Sequence, residues 1–196
     1  FNTSGSLDEP LRLFEPEILW NIELGWIVEF EKSDASLRAL LFKMDRSDVQ
    51  ISTSIVRVRE DGSSEFVEFT GNAAEGVNQG LELEYAQRVN GFARIRASLG
   101  LLNSRYSGYN SPAGEDLNGR DQAHAPSYQY SVSASFGGVS DWFGDISIQG
   151  RDGFYFSDTH DFQSDAHALI NLGLGRYIAD FEAHFWIKNL FDQEYS

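Results

Sequence analysis

The 196-residue chain lacks cysteine altogether, and its 15 basic residues are outnumbered by 30 acidic ones. Without thiols it can form neither disulfide bonds nor a cysteine-based metal site. Its formal net charge of -15 would repel the phosphates of nucleic acids, so no nucleic-acid partner is expected. Long apolar runs are also missing: none approaches the roughly 18 residues that a transmembrane helix needs. A helical membrane protein is therefore excluded.

What the chain does have is alternation of apolar and polar residues, with almost no helical periodicity. Leu81, Leu83 and Tyr85, for example, alternate with Glu82 and Glu84. Such a period of two predicts β-strands with one apolar and one polar face. The pattern indicates about eight strands of roughly nine to thirteen residues, longer than the usual five or six. Strands of this length can cross a bilayer, which takes about 9–11 tilted residues.

The predicted connections alternate in length. Short turns are expected near residues 31–34, 89–91, 137–141 and 177–180, and long connections over about residues 47–76, 107–125 and 151–165. Short turns on one side and long loops on the other are typical of outer-membrane barrels, whose long loops face outward. The first long connection is expected to contain its own hairpin, because Asp61-Gly62 is a strong turn dipeptide.

Two architectures fit this alternation. In a soluble β-sandwich the apolar faces meet in a core, whereas in a membrane barrel they meet lipid and the polar faces line the lumen. Aromatic residues collect at the predicted strand ends, as in the two interfacial girdles of a barrel: Trp142 and Phe143, Tyr177 and Phe181, Tyr106 and Tyr128, Phe191 and Tyr195. This placement favours the barrel, although tyrosine and phenylalanine are common in strands of any kind.

The hairpin around Asn90-Gly91 permits a prediction of register. A two-residue loop would mix the apolar and polar faces, because a slip of one residue inverts every side chain. A three-residue loop over residues 89–91, with Gly91 in the left-handed region, keeps the faces matched. Glu84 and Arg96 would then form a cross-strand pair on the polar, lumenal face, worth about 0.2–1 kcal/mol.

Several segments resemble, in order, those of TonB-dependent outer-membrane receptors. Residues 189–195 (NLFDQEY) are similar to the N-L-F-D-x-x-Y signature that ends the penultimate barrel strand of that family. Residues 16–25 (PEILWNIELG) resemble its P-E-x-x-x-N-x-E-L-G strand opening. Residues 40–48 and 72–84 resemble further strand segments, the latter a pattern ending in G-x-E-x-E. Together the similarity covers about residues 16–195.

The resemblance implies an all-β fold, in which an antiparallel meander of about eight long strands forms part of a transmembrane barrel. Such receptors have about 22 strands around a plug. They import a scarce nutrient, such as a siderophore complex, vitamin B12, haem or a glycan, across the outer membrane of a Gram-negative bacterium with energy from TonB. Expected partners are therefore outer-membrane lipid, the imported small molecule and TonB. No cofactor is predicted.

Under this resemblance the chain corresponds to about the last third of the barrel. Residues 1–17 would end an extracellular loop, and residues 18–196 would form a partial barrel domain. We expect the plug, the TonB box and the final strand outside these residues, with TonB acting through the missing N-terminal region.

Two other functions stay open at this point. Eight strands can close on themselves, so a small self-contained outer-membrane barrel with a structural or adhesive role fits the pattern. A soluble carbohydrate-binding β-sandwich fits it as well. Enzymatic activity is not expected, since neither a G-x-S-x-G nor an H-E-x-x-H motif occurs.

The ligand of such a receptor would meet the extracellular loops and the upper lumen. The first group of candidate contacts is Arg151, Phe154, Tyr155 and Phe156, and the second is Tyr106, Tyr109, Arg120 and Asp121. Aromatic rings beside an arginine could stack on a planar or sugar ligand and pair with an acid. The alternative is packing within the loops themselves. Acidic residues at 116–121 and 158–161 lack a complete Ca²⁺-loop spacing, so no metal site is predicted.

Overall fold

The computed structural model describes residue 2 and residues 7–109, 116–137 and 141–195. Within these residues, eight antiparallel strands form one sheet in chain order. They are β1 Ile18–Phe30, β2 Ala35–Val58, β3 Ser64–Val89, β4 Ala93–Ser107, β5 Tyr128–Phe136, β6 Trp142–Arg151, β7 His167–Ile178 and β8 Phe181–Ile187. A short helix, α1 Glu9–Arg12, and a 3-10 turn, Glu31–Ser33, are the helical elements described. The predicted all-β meander is confirmed.

The connections follow the predicted sorting by length. Residues 31–34 and 179–180 form short turns, and Asp34 and Ala179 adopt the positive φ angles of 46° and 52° that tight turns require. The predicted turn at 137–141 includes residues 138–140, which lie outside the described residues, as do residues 110–115 of the predicted loop at 107–125. No helix in the described part of the chain is long and apolar enough to cross a membrane.

The predicted hairpin within the first long connection is present and is continuous with the sheet. β2 and β3 have 24 and 26 residues, so their far halves project beyond the other strands. A bulge between Arg46 and Val49 marks the transition. At the tip Gly62 has a φ of 81°, and Asp61 Oδ1 accepts hydrogen bonds from the backbone N and the hydroxyl of Ser63. Those bonds lower the pKa of Asp61.

The predicted register of the β3–β4 hairpin is wrong by two residues. Glu84 lies opposite Ser98, and Arg96 lies opposite Ala86, so the two charges do not form the predicted cross-strand pair. The loop has three residues, as predicted, but it comprises 90–92. Asn90 and Gly91 both have positive φ, 50° and 74°, as the type I′ turn of an Asn-Gly dipeptide requires. Shifting the pairing of the two strands by two residues leaves every side chain on the same face. The requirement for matching faces therefore could not exclude the observed register.

The apolar face of the sheet is not covered by a second layer within the described residues. Leu81, for example, lies between Leu41 and Leu101, which are 44% and 42% exposed. Each strand packs chiefly against its neighbours in the sheet. β1 and β8 stand at opposite ends of the strand order. The described strands therefore form neither a sandwich nor a closed barrel of eight, and neither alternative is favoured.

Two clusters of buried hydrophobic residues lie at the long-loop end. One cluster joins the projecting hairpin to the β4–β5 loop and comprises Val49, Ile51, Tyr106 and Tyr109, with Leu117 against it. The other packs the N-terminal segment on the hairpin and comprises Leu7, Val67 and Phe69, with Leu11 and Ile55 alongside. The sheet thus carries a small packed cap on its long-loop side.

The predicted aromatic girdles are only partly correct. Trp142 lies opposite Arg176 on the apolar face, with the guanidinium carbon 5.2 Å from a ring centroid of Trp142. Phe143, the next residue, must point to the other face, and its ring lies over Gly175. The ring of Tyr177 is 4.9 Å from that of Phe143, so Tyr177 also lies on the polar face. These two rings cannot belong to a lipid-facing girdle.

Candidate ligand-binding site

Arg120 fastens the two long loops of the cap to each other. Its Nη1 is 2.7 Å from Asp161 Oδ1, and its Nη2 donates to the carbonyl oxygens of Ser157 and His160. Its guanidinium carbon lies 4.0 Å from the ring centroid of Tyr155. The side chain is only 10% exposed. Because a buried charge is unfavourable unless paired, these contacts make Arg120 a structural clamp.

Further hydrogen bonds join the same loops. Asp158 Oδ1 accepts a hydrogen bond of 2.9 Å from the backbone N of Ala123, and His124 N donates to Tyr155 O over 2.9 Å. Burial first, and then the carboxylate of Asp158, raises the pKa of Tyr106. The β4–β5 and β6–β7 loops therefore behave as one unit in the described part of the chain.

Two residues of the second candidate group are buried. Tyr106 is 4% exposed and Tyr109 is 0% exposed, with their rings 4.9 Å apart. Tyr109 Oη has no hydrogen-bond partner among the described residues, and burial raises the pKa of Tyr109. Neither ring offers a surface to a ligand in this conformation. Asp121 is exposed and contacts Arg105 at 3.2 Å.

The first candidate group forms an aromatic stack on an arginine. The guanidinium carbon of Arg151 lies 4.7 Å from the ring centroid of Phe154, whose ring meets that of Phe156 edge-on at 5.5 Å. Phe156 is 43% exposed, and Tyr155 connects the stack to Arg120. The structure thus brings both candidate groups into one cap, with Phe156 at its surface.

A polar hollow of about 670 Å³ lies beneath the cap on the polar face. Glu82 and Gln129 line it from the strands, together with Arg151 at its upper edge. The ring of Tyr195 stacks on that of His167, 4.6 Å away and inclined by 19°, and both residues border the hollow. The arrangement can offer charged, amide and aromatic contacts to a polar molecule below the loops.

Asn189 explains the position of Tyr195. Its φ is 50°, and its backbone N donates to Asn171 Oδ1 over 3.0 Å. Its side chain forms two hydrogen bonds with the backbone of Gln193, of 2.9 Å and 3.0 Å. The turn that follows β8 is thereby closed and returns Tyr195 to the hollow. In the N-L-F-D-x-x-Y segment, the asparagine thus closes the turn and the tyrosine lies against the hollow.

Sequence reasoning missed two features of the polar side. Arg46 Nε lies 2.6 Å from Glu17 Oε1 and its Nη1 2.8 Å from Gln122 Oε1. The hydrogen bond from Arg46 is the main cause that lowers the pKa of Glu17. Through Arg46, these hydrogen bonds connect the segment before β1 to the β4–β5 loop. The residues are 29 and 76 positions apart in sequence, so no local pattern could have signalled it.

The second missed feature is an aromatic strip on the polar face near the short turns. The ring centroids of Phe143 and His184 are 5.5 Å apart, and those of His184 and Trp186 are 5.8 Å apart. Gly175 leaves space for the ring of Phe143, since a Cβ there would collide with it. Strand parity would have revealed the strip, because Phe143 is adjacent to the apolar-facing Trp142.

Metal-ligating groups are not assembled in the described ranges, where no three histidine, aspartate or glutamate side chains are arranged to hold an ion. The acidic segments at 116–121 and 158–161 instead supply hydrogen-bond acceptors to the cap, through Asp116 to Asn118 N and through Asp158 to Ala123 N.

Residues 2–190 match the family described as TonB dependent receptor-like, beta-barrel. The ferric yersiniabactin uptake receptor FyuA from Yersinia pestis has 19% identity and a TM-score of 0.71, over 93% of this chain and 26% of that one. The siderophore receptor PiuA from Acinetobacter baumannii has 14% identity and a TM-score of 0.74, over 96% and 26%. The copper transporter OprC has 14% identity and a TM-score of 0.65, over 93% and 27%.

At these identities the structural likeness establishes the fold, and the chain spans about a quarter of the length of those solved structures. The family consists of receptors and transporters of the Gram-negative outer membrane. The family match extends from residue 2 to residue 190 and therefore includes all eight strands. The chain accordingly belongs to the TonB-dependent receptor family, as part of its β-barrel domain.

Proposed function

We propose that this chain is part of an outer-membrane importer that captures a scarce nutrient and moves it inward with energy from TonB. One observation carries the proposal: within the described residues nothing covers the apolar face of the sheet, while the long loops pack into a cap at one end. An apolar face of this kind suits acyl chains, and a polar face suits a wet lumen. TonB would act through a region outside the 196 residues.

The ligand would be held by the cap and by the hollow beneath it. Phe156 is the exposed aromatic contact, and Arg151 supplies positive charge between the cap and the hollow. Phe154 and Tyr155 would present the stack, Arg120 and Asp121 would border it, and the buried Tyr106 and Tyr109 would support it from below. An arginine beside aromatic rings is chemically suited to a planar, anionic molecule.

A metal chelate is the ligand class that these contacts support best. Catecholate and carboxylate chelators are planar and carry negative charge, and two of the matched proteins are described as a siderophore receptor and a ferric yersiniabactin uptake receptor. Vitamin B12, haem and glycans are the other ligands to be tested. We propose no enzymatic activity for the chain.

The test uses the complete protein in its outer membrane. Cells that express Arg151→Ala or Phe156→Ala receptors should take up the cognate radiolabelled chelate with a KM raised about tenfold or more, since a lost charged or stacking contact costs about 1–3 kcal/mol. Phe66→Ala is the matched control, because Phe66 is 73% exposed at the distant hairpin tip. The proposal fails if the protein is absent from the outer-membrane fraction, or if its deletion changes uptake of none of the ligands.

A further inference from the structure

Arg176 places a positive charge on the apolar face of the sheet. It lies two residues before the end of β7, directly opposite Trp142 on β6 and Ala183 on β8. Leu174 and Ile178, its neighbours along the same face of β7, are both about half exposed, and Arg176 is exposed as well. A charge among apolar side chains is unfavourable unless it is paired, so Arg176 calls for an anion.

The contact that the described residues give Arg176 is with the ring of Trp142, whose centroid lies 5.2 Å from the guanidinium carbon. Arg176 forms neither an ion pair nor a side-chain hydrogen bond in the described part of the chain. A ring face attracts a guanidinium but takes up none of its N–H groups. These donors therefore stay available to an acceptor that approaches from outside the sheet.

The carboxylates on the adjacent strands do not supply that acceptor. Asp145 on β6 and Glu182 on β8 alternate with residues of the apolar face, so their side chains point to the opposite face. Asp141 and Asp180 lie just before β6 and β8, and neither forms an ion pair with Arg176 within the described residues. The sheet leaves this charge without a counter-ion in the ranges that the structure describes.

An apolar hollow of about 680 Å³ opens on the same face beside Arg176. Leu174 lines it and precedes Arg176 by two residues, about 7 Å along the strand. Ser135 and Asp145 also border it, but their side chains point to the polar face, since they alternate with apolar-face residues. The apolar side chains that line the hollow include Ile95, Phe136, Ile146, Leu172, Leu174 and Phe185.

The order of these two features along β7 matches the order of groups in a phospholipid. Arg176 lies near the short-turn end, which faces the periplasm in barrels of this kind. At that depth a lipid-facing arginine is tolerated and a tryptophan is common. The anion present there is a lipid phosphate, which a guanidinium can bind through two parallel hydrogen bonds. Acyl chains run from the phosphate towards the bilayer midplane, the direction in which Leu174 and Leu172 follow.

We propose that this surface binds one phospholipid of the periplasmic leaflet, with its phosphate on Arg176 and an acyl chain in the apolar hollow. The inference rests on the proposed function, because the apolar face meets lipid only in an outer-membrane barrel. Trp142 holds the guanidinium from one side and leaves its N–H groups to the phosphate. Such a lipid is retained when the lipids that merely surround the barrel are replaced by detergent.

The test is native mass spectrometry of the full-length receptor in detergent with added dioleoyl phosphatidylglycerol. The wild type should bind one lipid more tightly than any further ones. Arg176→Gln should weaken this first binding about tenfold or more, because charge-assisted hydrogen bonds to the phosphate are lost. Arg176→Lys keeps the charge and should restore part of the affinity. Arg38→Gln is the matched control, because Arg38 is an exposed arginine that pairs with Glu84 on the polar face.

A second comparison separates the phosphate from the acyl chains. Dioleoylglycerol has the same chains without a phosphate, and it should bind the wild type about tenfold or more weakly than the phospholipid does. Inorganic phosphate should not displace the bound phospholipid, because it gains nothing from the hollow. Both results are expected if the charge and the hollow act on one molecule.

Three outcomes overturn the proposal. Equal phospholipid binding by the wild type and Arg176→Gln would mean that Arg176 takes no headgroup. Equal binding of dioleoylglycerol and the phospholipid would mean that the hollow selects only for chains. Displacement by inorganic phosphate would mean that the site belongs to a free anion. Lipid binding is measured without uptake, so a receptor that imports none of the tested nutrients could still pass this test, and an active importer could fail it.

Discussion

The guanidinium of Arg120 lies 4.0 Å from the centre of the Tyr155 ring, and through this contact the β4–β5 loop holds the β6–β7 loop. Both residues are ligand-contact candidates from the sequence, yet both make contacts inside the cap: Arg120 with Tyr155, Asp161 and two backbone carbonyls of the β6–β7 loop. The cap that would meet a ligand is therefore assembled before any ligand arrives.

Arg120→Ala should loosen the β6–β7 loop. The change removes a cation–π contact and the hydrogen bonds from Arg120 to the carbonyl oxygens of Ser157 and His160, which together contribute about 2 kcal/mol. The ion pair with Asp161 adds little, because the Asp161 side chain is exposed. Hydrogen exchange of the backbone amides at residues 155–164 in the full-length receptor should accelerate about tenfold or more. Arg59→Ala is the control, because Arg59 pairs with Glu65 near the exposed tip of the β2–β3 hairpin. Unchanged exchange in Arg120→Ala would refute the clamp.

Gly80→Ala should destabilise the barrel, whereas Gly25→Ala should be tolerated. A Cβ at Gly80 would lie 2.7 Å from Phe42 Cζ and would also collide with the carbonyl oxygen of Leu101. At Gly25 the nearest atom would be 3.6 Å away. Overpacking costs about 1–3 kcal/mol, so the urea midpoint should fall for Gly80→Ala alone. Equal midpoints for the two variants would contradict this account of the close strand packing.

The Arg46–Glu17 contact should make stability depend on pH. The hydrogen bond from Arg46 lowers the pKa of Glu17 below its ordinary value of 4.5, so the folded state favours the carboxylate. Its contribution is present above pH 4.5 and is lost as the pH falls through the lowered pKa. Glu17→Gln should therefore reduce stability by about 1 kcal/mol at pH 7, and the difference from wild type should shrink in acid. A difference that is constant from pH 7 to pH 3 would argue against the ion pair.

Asn189→Ala should release the turn after β8 and unstack Tyr195 from His167. Alanine cannot form the two side-chain hydrogen bonds to Gln193 and disfavours the positive φ. Asn189→Gly retains the backbone freedom but loses the same bonds. Hydrogen exchange of the backbone amides at residues 190–195 should be faster in both variants, and faster in Asn189→Ala than in Asn189→Gly. If neither variant differs from wild type, the segment owes its shape to other contacts.

Much of the fold could be predicted from the alternation of apolar and polar residues, because a period of two determines which side chains share a face of the sheet. Leu81 and Leu83 are two residues apart and therefore lie on the same face. The turns at Asp61-Gly62 and Asn90-Gly91 follow from the preference of these dipeptides for tight turns. The register of Glu84 could not be obtained in this way, because a slip of two residues leaves every face unchanged.

The arrangement of the candidate site residues is harder to predict, because their contacts join distant parts of the chain. The run of aromatic residues beside Arg151 predicts ligand contacts; Arg151 lies at the edge of the hollow and Phe156 at the surface of the cap. The burial of Tyr109 depends on Val49 and Ile51 of the projecting hairpin, whose packing no local pattern contains. The position of Phe143 near a turn indicates a girdle residue, but Phe143 follows Trp142 directly in β6 and therefore lies on the opposite face of the sheet.

The most direct test of the account compares two adjacent residues of β3. Spin labels on Leu83→Cys and Glu84→Cys variants of the full-length receptor, reconstituted in lipid bilayers, report access to oxygen from the bilayer and to a water-soluble nickel chelate. We expect the label at position 83 to relax mainly with oxygen and the label at position 84 mainly with the chelate, because successive side chains lie on opposite faces. The reverse pattern, or equal access of both labels to the chelate, would contradict the assignment of the apolar face to lipid.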